Sequence, residues 1–236
     1  MDADAFFYSY KKQTTDEKAH VFLESGRGGH YSIAAWQPLA TAQSIEGGLL
    51  IEWRDGTREM LYGEPLDLLE QLVANYQLTY DAKLPVFQGG AIGFVSYDYA
   101  RKIEELPELA TDDLKVPDIY FYLFDCWAVH DVKTNEVTVM KLANCDVNLE
   151  EQAHAWQVAA QEGLQLRKFE KTNAVEVVND ESELLVSFAG TAFEAAVRKI
   201  QTYIAQGDVF QVNLSVRQSK KLNATAMDVY EALRAF

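Results

Sequence analysis

Three stretches of the sequence bring together groups that could do chemistry. In Leu23-Glu24-Ser25-Gly26-Arg27-Gly28-Gly29-His30-Tyr31 a strand breaks into a glycine-rich turn and resumes. Such a turn exposes backbone N–H groups, and with Ser25 and Arg27 beside it a carboxylate could be held. The same residues also describe a plain hairpin turn. In Gly89-Gly90-Ala91-Ile92-Gly93-Phe94-Val95-Ser96-Tyr97-Asp98 glycines sit inside a strand, which marks a bulge or a close approach of two backbones. The third stretch, Ile204 to Ser215, reads as a helix end, a Gly207-Asp208 turn and a strand. None of the recognised nucleophile, phosphate-loop or metalloprotease motifs is present. The histidines at 20, 30, 130 and 154 have no ligand spacing; His130 adjoins an apolar strand and reads as structural, His20 and His154 as solvated. Cys126 and Cys145 are too few for a disulfide scaffold or a zinc site. Cys126 lies in the apolar run Tyr120 to Val129 and reads as a buried free thiol.

The elements that must position these residues belong to a globular chain. Of 236 residues 48% are hydrophobic and 24% charged, a balance that supports a packed core. A formal net charge of -15 argues against nucleic acid and against an anionic membrane face as partners. It leaves room for an anionic small substrate, because a metal or a few local arginines can reverse the field inside one pocket. The first residues lack a basic segment followed by an apolar one, and no apolar stretch approaches the ~20 residues that span a bilayer. A cytoplasmic location is expected.

Residues up to Cys145 read mainly as strands: Val21–Leu23, Tyr31–Trp36, Leu49–Trp53, Thr57–Leu61, Gly90–Tyr97, Asp118–Val129 and Glu136–Leu142. Asp55-Gly56 suits a type I′ hairpin turn. One helix, Pro65–Tyr76, interrupts them, with Pro65 in its first turn. This pattern predicts an α+β fold with mainly antiparallel sheets and flanking helices. Leu149–Leu166 is helical in pattern, and Arg167–Glu183 is polar without a period. A second unit opens with the helix Thr191–Gln206, where Thr191 and Glu194 suit a capping box, Phe193, Val197, Ile200 and Ile204 form an apolar stripe, and Gly207 suits a left-handed stop. A strand is expected over Val209–Gln218. The last helix begins at the pair Thr225 and Asp228 and runs to Phe236 without a closing cap, as if cut.

Four motifs stand in one order: Leu23-Glu24-Ser25; Gly89-Gly90 with Gly93-Phe94 and Ser96-Tyr97-Asp98; Pro117-Asp118-Ile119; and Tyr203-Ile204 with Gly207 to Ser215. From about Phe22 to Phe236 the chain thereby resembles component I of anthranilate synthase and of aminodeoxychorismate synthase, which are chorismate-binding enzymes. The short Ser25–Tyr31 loop and the compact amino-terminal region are more similar to the aminodeoxychorismate branch, which leads to p-aminobenzoate and folate, than to the tryptophan-regulated one.

The resemblance implies a component I-like domain over 1–148, a helical and polar connection over 149–186, and the beginning of a chorismate-binding domain over 187–236. It implies an enzyme that replaces a hydroxyl of chorismate with an amine, using Mg²⁺ and ammonia from a glutamine amidotransferase partner. In the anthranilate alternative, pyruvate is then expelled. The catalytic residues and the metal-binding glutamates of the family fall beyond Phe236, so no catalytic or metal residue is expected here. The 236 residues alone are expected to bind or scaffold without turning chorismate over. An L-tryptophan site does carry over, at Ser25 and Tyr31, with His30 where the family pattern usually has arginine.

Overall fold

The computed structural model describes residues 1–26, 28–105, 112–172, 184–221 and 223–234. Contacts divide the chain into two compact units, Met1–Asn173 and Ala174–Phe236.

The first unit opens with a helix that the strand-rich expectation lacks. The Asp2 carboxylate accepts the Ala5 N–H at 2.7 Å and caps α1 (Ala3–Gln13), whose last turn carries Lys11 and Lys12. Phe6, Phe7 and Tyr10 look β-prone in sequence, but they are buried on α1, and that burial outweighs their weak helix propensity. Nine strands follow: β1 (His20–Leu23), β2 (Tyr31–Trp36), β3 (Ala40–Ile45), β4 (Gly48–Trp53), β5 (Arg58–Tyr62), β6 (Ala91–Val95), β7 (Ile119–Leu123), β8 (Cys126–Asp131) and β9 (Glu136–Lys141). Helix α2 (Pro65–Ala74) lies between β5 and β6, and a short α3 (Ala100–Ile103) follows β6. All pairings are antiparallel, in a four-stranded sheet ordered β1-β2-β8-β9 and a five-stranded sheet ordered β5-β4-β3-β7-β6. The unit is α+β with antiparallel sheets, as the strand pattern predicts.

Each sheet has its own covering. Leu69 and Leu72 of α2 pack with Ala42, Leu49, Ile51 and Ile119 on the five-stranded sheet. The two sheets meet at a second cluster, where Ile92 and Phe124 join Ala35, Trp127 and Val129. Against the other face of the four-stranded sheet lie α1 and α4 (Leu149–Thr172). There Trp156 stacks on Phe6 at 4.8 Å between ring centroids, and Ser9 donates to the Trp156 carbonyl at 2.9 Å. Of the stretch 149–186, therefore, 149–172 is helix within the first unit, and 173–183 lie outside the described residues.

The single strand expected over Asp118–Val129 is two strands in different sheets. Asp125, a charge inside an apolar run, marks the break. Arg54, from the β4–β5 turn, grips it with two bonds, Nη1 to Oδ2 at 3.0 Å and Nη2 to Oδ1 at 2.5 Å. The same guanidinium donates to the carbonyls of Gln37 at 2.5 Å and Pro38 at 3.2 Å. Gln37 and Pro38 lie where the chain passes from β2 to β3, again from one sheet to the other. The β4–β5 turn itself is not type I′: Asp55 keeps negative φ, and only Gly56 is left-handed (φ +85°), after a Gly56 N–H bond to the Trp53 carbonyl. A type I turn with a glycine bulge results.

The second unit holds β10 (Leu185–Val186), α5 (Gly190–Gln206), β11 (Gln218–Ser219) and α6 (Ala226–Arg234), with β10 antiparallel to β11. Thr191 does not cap α5: the N-cap is Ala189, and Glu194 instead pairs with Arg198 at 2.9 Å. Gly207 ends α5 at φ +82°, and the Gly207 and Asp208 N–H groups bond to the Ile204 and Tyr203 carbonyls as in a Schellman motif. Thr225 and Asp228 form the reciprocal capping box of α6. The strand expected over Val209–Gln218 is absent up to Arg217; the alternation of Phe210, Val212, Leu214 and Val216 finds no ladder partner, and Phe210 is 94% exposed.

Two measurements test this account. Arg54→Leu leaves the Asp125 carboxylate, 10% exposed, without its partner and should destabilise the fold by ~2–4 kcal/mol in urea unfolding; a loss below ~0.5 kcal/mol would mean that the crossings hold without it. His130 is fully buried and stacks on Phe6 at 5.1 Å. Burial pushes its imidazole below the ordinary value, opposed by its bond to the Met1 carbonyl. Folding thus favours the neutral ring: its contribution is complete above about pH 6.5 and is lost as pH falls below that value. Burial acts on His20 in the same direction, so the comparison must be with a variant. The fall in thermal midpoint between about pH 7 and pH 5 should be shallower in His130→Phe than in the parent.

Candidate functional site

The Glu24–His30 loop joins β1 to β2, and its residues are held from three directions. The Ser25 N–H donates to the Ser32 hydroxyl at 2.9 Å. The Gly29 N–H closes a turn on the Gly26 carbonyl at 2.9 Å, and the His30 carbonyl accepts the Val132 N–H at 2.9 Å. His30 Nε2 lies 3.1 Å from Asp131 Oδ2, and its ring stacks on Tyr31 at 4.2 Å. Although desolvation works against it, the Asp131 carboxyl is held below the usual carboxylate range by the Thr134 and Lys133 N–H groups and by His30.

These contacts sort the three candidate residues. His30 and Tyr31 are brought together, and Tyr31 packs with the cluster between the sheets. Ser25 is tied instead to Ser32, on the opposite face of β2 from Tyr31. The Ser25 hydroxyl is buried and has no hydrogen-bond partner among the described residues. A Cβ at Gly29 would collide with that oxygen, so glycine there keeps the space in front of it open. Arg27, the other candidate for holding a carboxylate, lies outside the described residues. Asp131 comes to the loop only through the β2–β8 pairing, which no local spacing signals, while Ser32 lies seven residues after Ser25 on the other face of β2.

The other candidates build scaffold. Gly93 faces Phe121 across the β6–β7 pair, and a Cβ there would run into the Tyr120 carbonyl, which is the close backbone approach expected of a strand glycine. Ser96 donates to Asp118 Oδ1 at 3.1 Å, and the Tyr99 hydroxyl donates to Glu64. Cys126 is half-buried, not buried; it lines a cavity of about 50 Å³ with Trp36, Arg54, Asp125 and Trp156. Burial pushes its thiol up to about 11, so it stays protonated and unreactive at neutral pH. That cavity is far smaller than a drug-sized ligand needs. His20 is not solvated: it is half-buried and bonded to the Tyr10 hydroxyl. Among the described residues no three His, Cys, Asp or Glu side chains converge as a metal site, and no helix is long and apolar enough to cross a membrane.

Comparison with known proteins places this arrangement. The chain is 38% identical over 239 residues to aminodeoxychorismate synthase component 1 of Bacillus subtilis, covering 98% of this chain and 48% of that protein. It is 27% identical over 234 residues to anthranilate synthase component 1 of Acetivibrio thermocellus, covering 94% of this chain and 47% of that protein. The crystal structure of anthranilate synthase component I from Streptococcus pneumoniae superposes with a TM-score of 0.62 at 26% identity, over 95% of this chain and 49% of that one. The chain thus spans about half the length of the relatives it matches. The family described as chorismate binding enzyme matches residues 18–236. With its α+β fold, its ordered motifs and this match over most of its length, the chain belongs to the chorismate-binding enzymes.

Proposed function

We propose that this chain is part of component I of an aminodeoxychorismate synthase, acting in the cytoplasm. The reaction would convert chorismate to 4-amino-4-deoxychorismate with ammonia from a glutamine amidotransferase partner, toward p-aminobenzoate and folate. The observation that carries the choice is the 38% identity to the Bacillus subtilis aminodeoxychorismate enzyme across nearly the whole chain, against 27% and 32% to the anthranilate enzymes of Acetivibrio thermocellus and Pseudomonas aeruginosa. The short loop between β1 and β2 supports the same branch. Mg²⁺, which the family implies, finds no acidic cluster among the described residues, so no step is assigned to it here. Nor is any catalytic residue; turnover is proposed for a protein of the relatives' full length, and these 236 residues alone would not turn chorismate over. Such a protein, given chorismate, Mg²⁺ and ammonium, should form aminodeoxychorismate. Anthranilate as the product would move the assignment to the sister enzyme.

We also propose that the β1–β2 loop is an L-tryptophan site, with Ser25, His30 and Tyr31 as its residues in this chain. The unpartnered Ser25 hydroxyl supports this: a buried polar atom without a bond is costly, and the polar head of an amino acid would satisfy it. Calorimetry with L-tryptophan should show binding that Ser25→Ala weakens roughly tenfold, the worth of one hydrogen bond to a charged group. Gly29→Ala should weaken it at least as much, by pushing a methyl group onto the Ser25 oxygen. Absence of heat at millimolar ligand would refute the site.

A further inference from the structure

We infer that His130 is a positioning residue for the β1–β2 loop, acting through Ser32. His130 Nε2 lies 2.9 Å from the Met1 carbonyl. A carbonyl can only accept, so Nε2 carries the proton, and in the neutral ring Nδ1 is left as a bare lone pair. Nδ1 is buried and has no partner among the described residues, in a side chain with 0% exposure. Directly across the antiparallel β2–β8 pair from His130 stands Ser32, also buried. Opposed residues of such a pair project from the same face, with Cβ atoms about 4.5–5.5 Å apart. Ser32 Oγ accepts the Ser25 N–H, which leaves its own proton to give. On this face, then, a buried acceptor lacking a donor stands opposite a buried hydroxyl with a proton to donate.

Nδ1 accepts a hydrogen bond from the Ser32 hydroxyl, after a small shift of the Ser32 side chain or through one water. That bond turns the Ser32 lone pairs toward the Ser25 N–H and so fixes the start of the loop. Because Nε2 is held by Met1, just before α1, the loop and the amino-terminal helix are linked through one imidazole. Phe6, stacked on the ring, keeps its plane in place. The inference concerns the loop proposed above as a ligand site, but its primary readout requires no ligand.

Two isosteric substitutions separate the ring nitrogens. His130→Asn can keep an acceptor near the Nδ1 position while losing the bond to Met1; His130→Gln can keep a donor near Nε2 while losing the acceptor. Amide hydrogen exchange then reads the protection of the Ser25 N–H. In His130→Gln and in Ser32→Ala that protection should fall roughly tenfold, the worth of one hydrogen bond, while in His130→Asn it stays within about twofold of the parent. Equal protection of Ser25 in the Asn and Gln variants, whether kept in both or lost in both, would overturn the inference. Calorimetry with L-tryptophan on the same proteins keeps the two ideas apart. If the parent binds, only the Gln variant and Ser32→Ala should bind more weakly. If the parent gives no heat, the tryptophan site fails while the exchange result still decides the role of His130.

Discussion

One guanidinium ties together the two passages of the chain between its sheets. The chain passes between them at Gln37–Leu39 and at Phe124–Asp125, and Arg54 bonds to both passages at once. Backbone leaving one ladder before joining the next has carbonyls with no strand partner, and these must be satisfied elsewhere. Arginine can do this because its donors form a rigid planar fork, two prongs on a carboxylate and others free for carbonyls. Lysine, a single point charge, could not serve four acceptors so placed. Backbone bonds reinforce the junction: Leu39 donates to the Leu123 carbonyl at 2.8 Å, and Arg54 to the Leu39 carbonyl at 2.9 Å.

With the sheets locked in this way, each face of the four-stranded sheet has a fixed neighbour. Val129 and Trp127 turn inward to the cluster between the sheets, while His130 and Ala128 turn toward α1 and α4. The β1–β2 loop sits at the edge where these environments meet. Its far end is pinned by Asp131 at the end of β8 and by Val132 just after it, and its near end by Ser32. A loop held at both ends by residues of rigid strands can keep the Ser25 hydroxyl buried without a partner among the described residues.

Much of this was legible in the sequence, for a physical reason. Alternation and turn residues are local, and they located β1, β2, β4, β5, β6 and β9, with Pro65 opening α2, Gly207 ending α5 and Thr225 opening α6. The departures are where burial, strand pairing or cap geometry decided against a local signal. Helix α1, which the strand-rich reading lacks, is held by the burial of its aromatic face. The alternating segment 209–217 reads as strand, yet a strand exists only with a ladder partner. Thr191 lies inside α5 and not at its cap, because Ala189, two residues earlier, already has the extended backbone of an N-cap.

The sequence by itself determined the family and the candidate loop, because motif order and glycine spacing are properties of the chain alone. It could name Ser25, His30 and Tyr31. Only the tertiary structure decided that His30 is spent on Asp131 and Tyr31, that the Ser25 hydroxyl has no partner among the described residues, and that Ser32 stands across the β2–β8 pair from His130. The relations of His30 to Asp131 and of Ser32 to His130 join residues about a hundred positions apart through strand pairing. Pairing register depends on how the two sheets pack, and no local spacing along the chain encodes it.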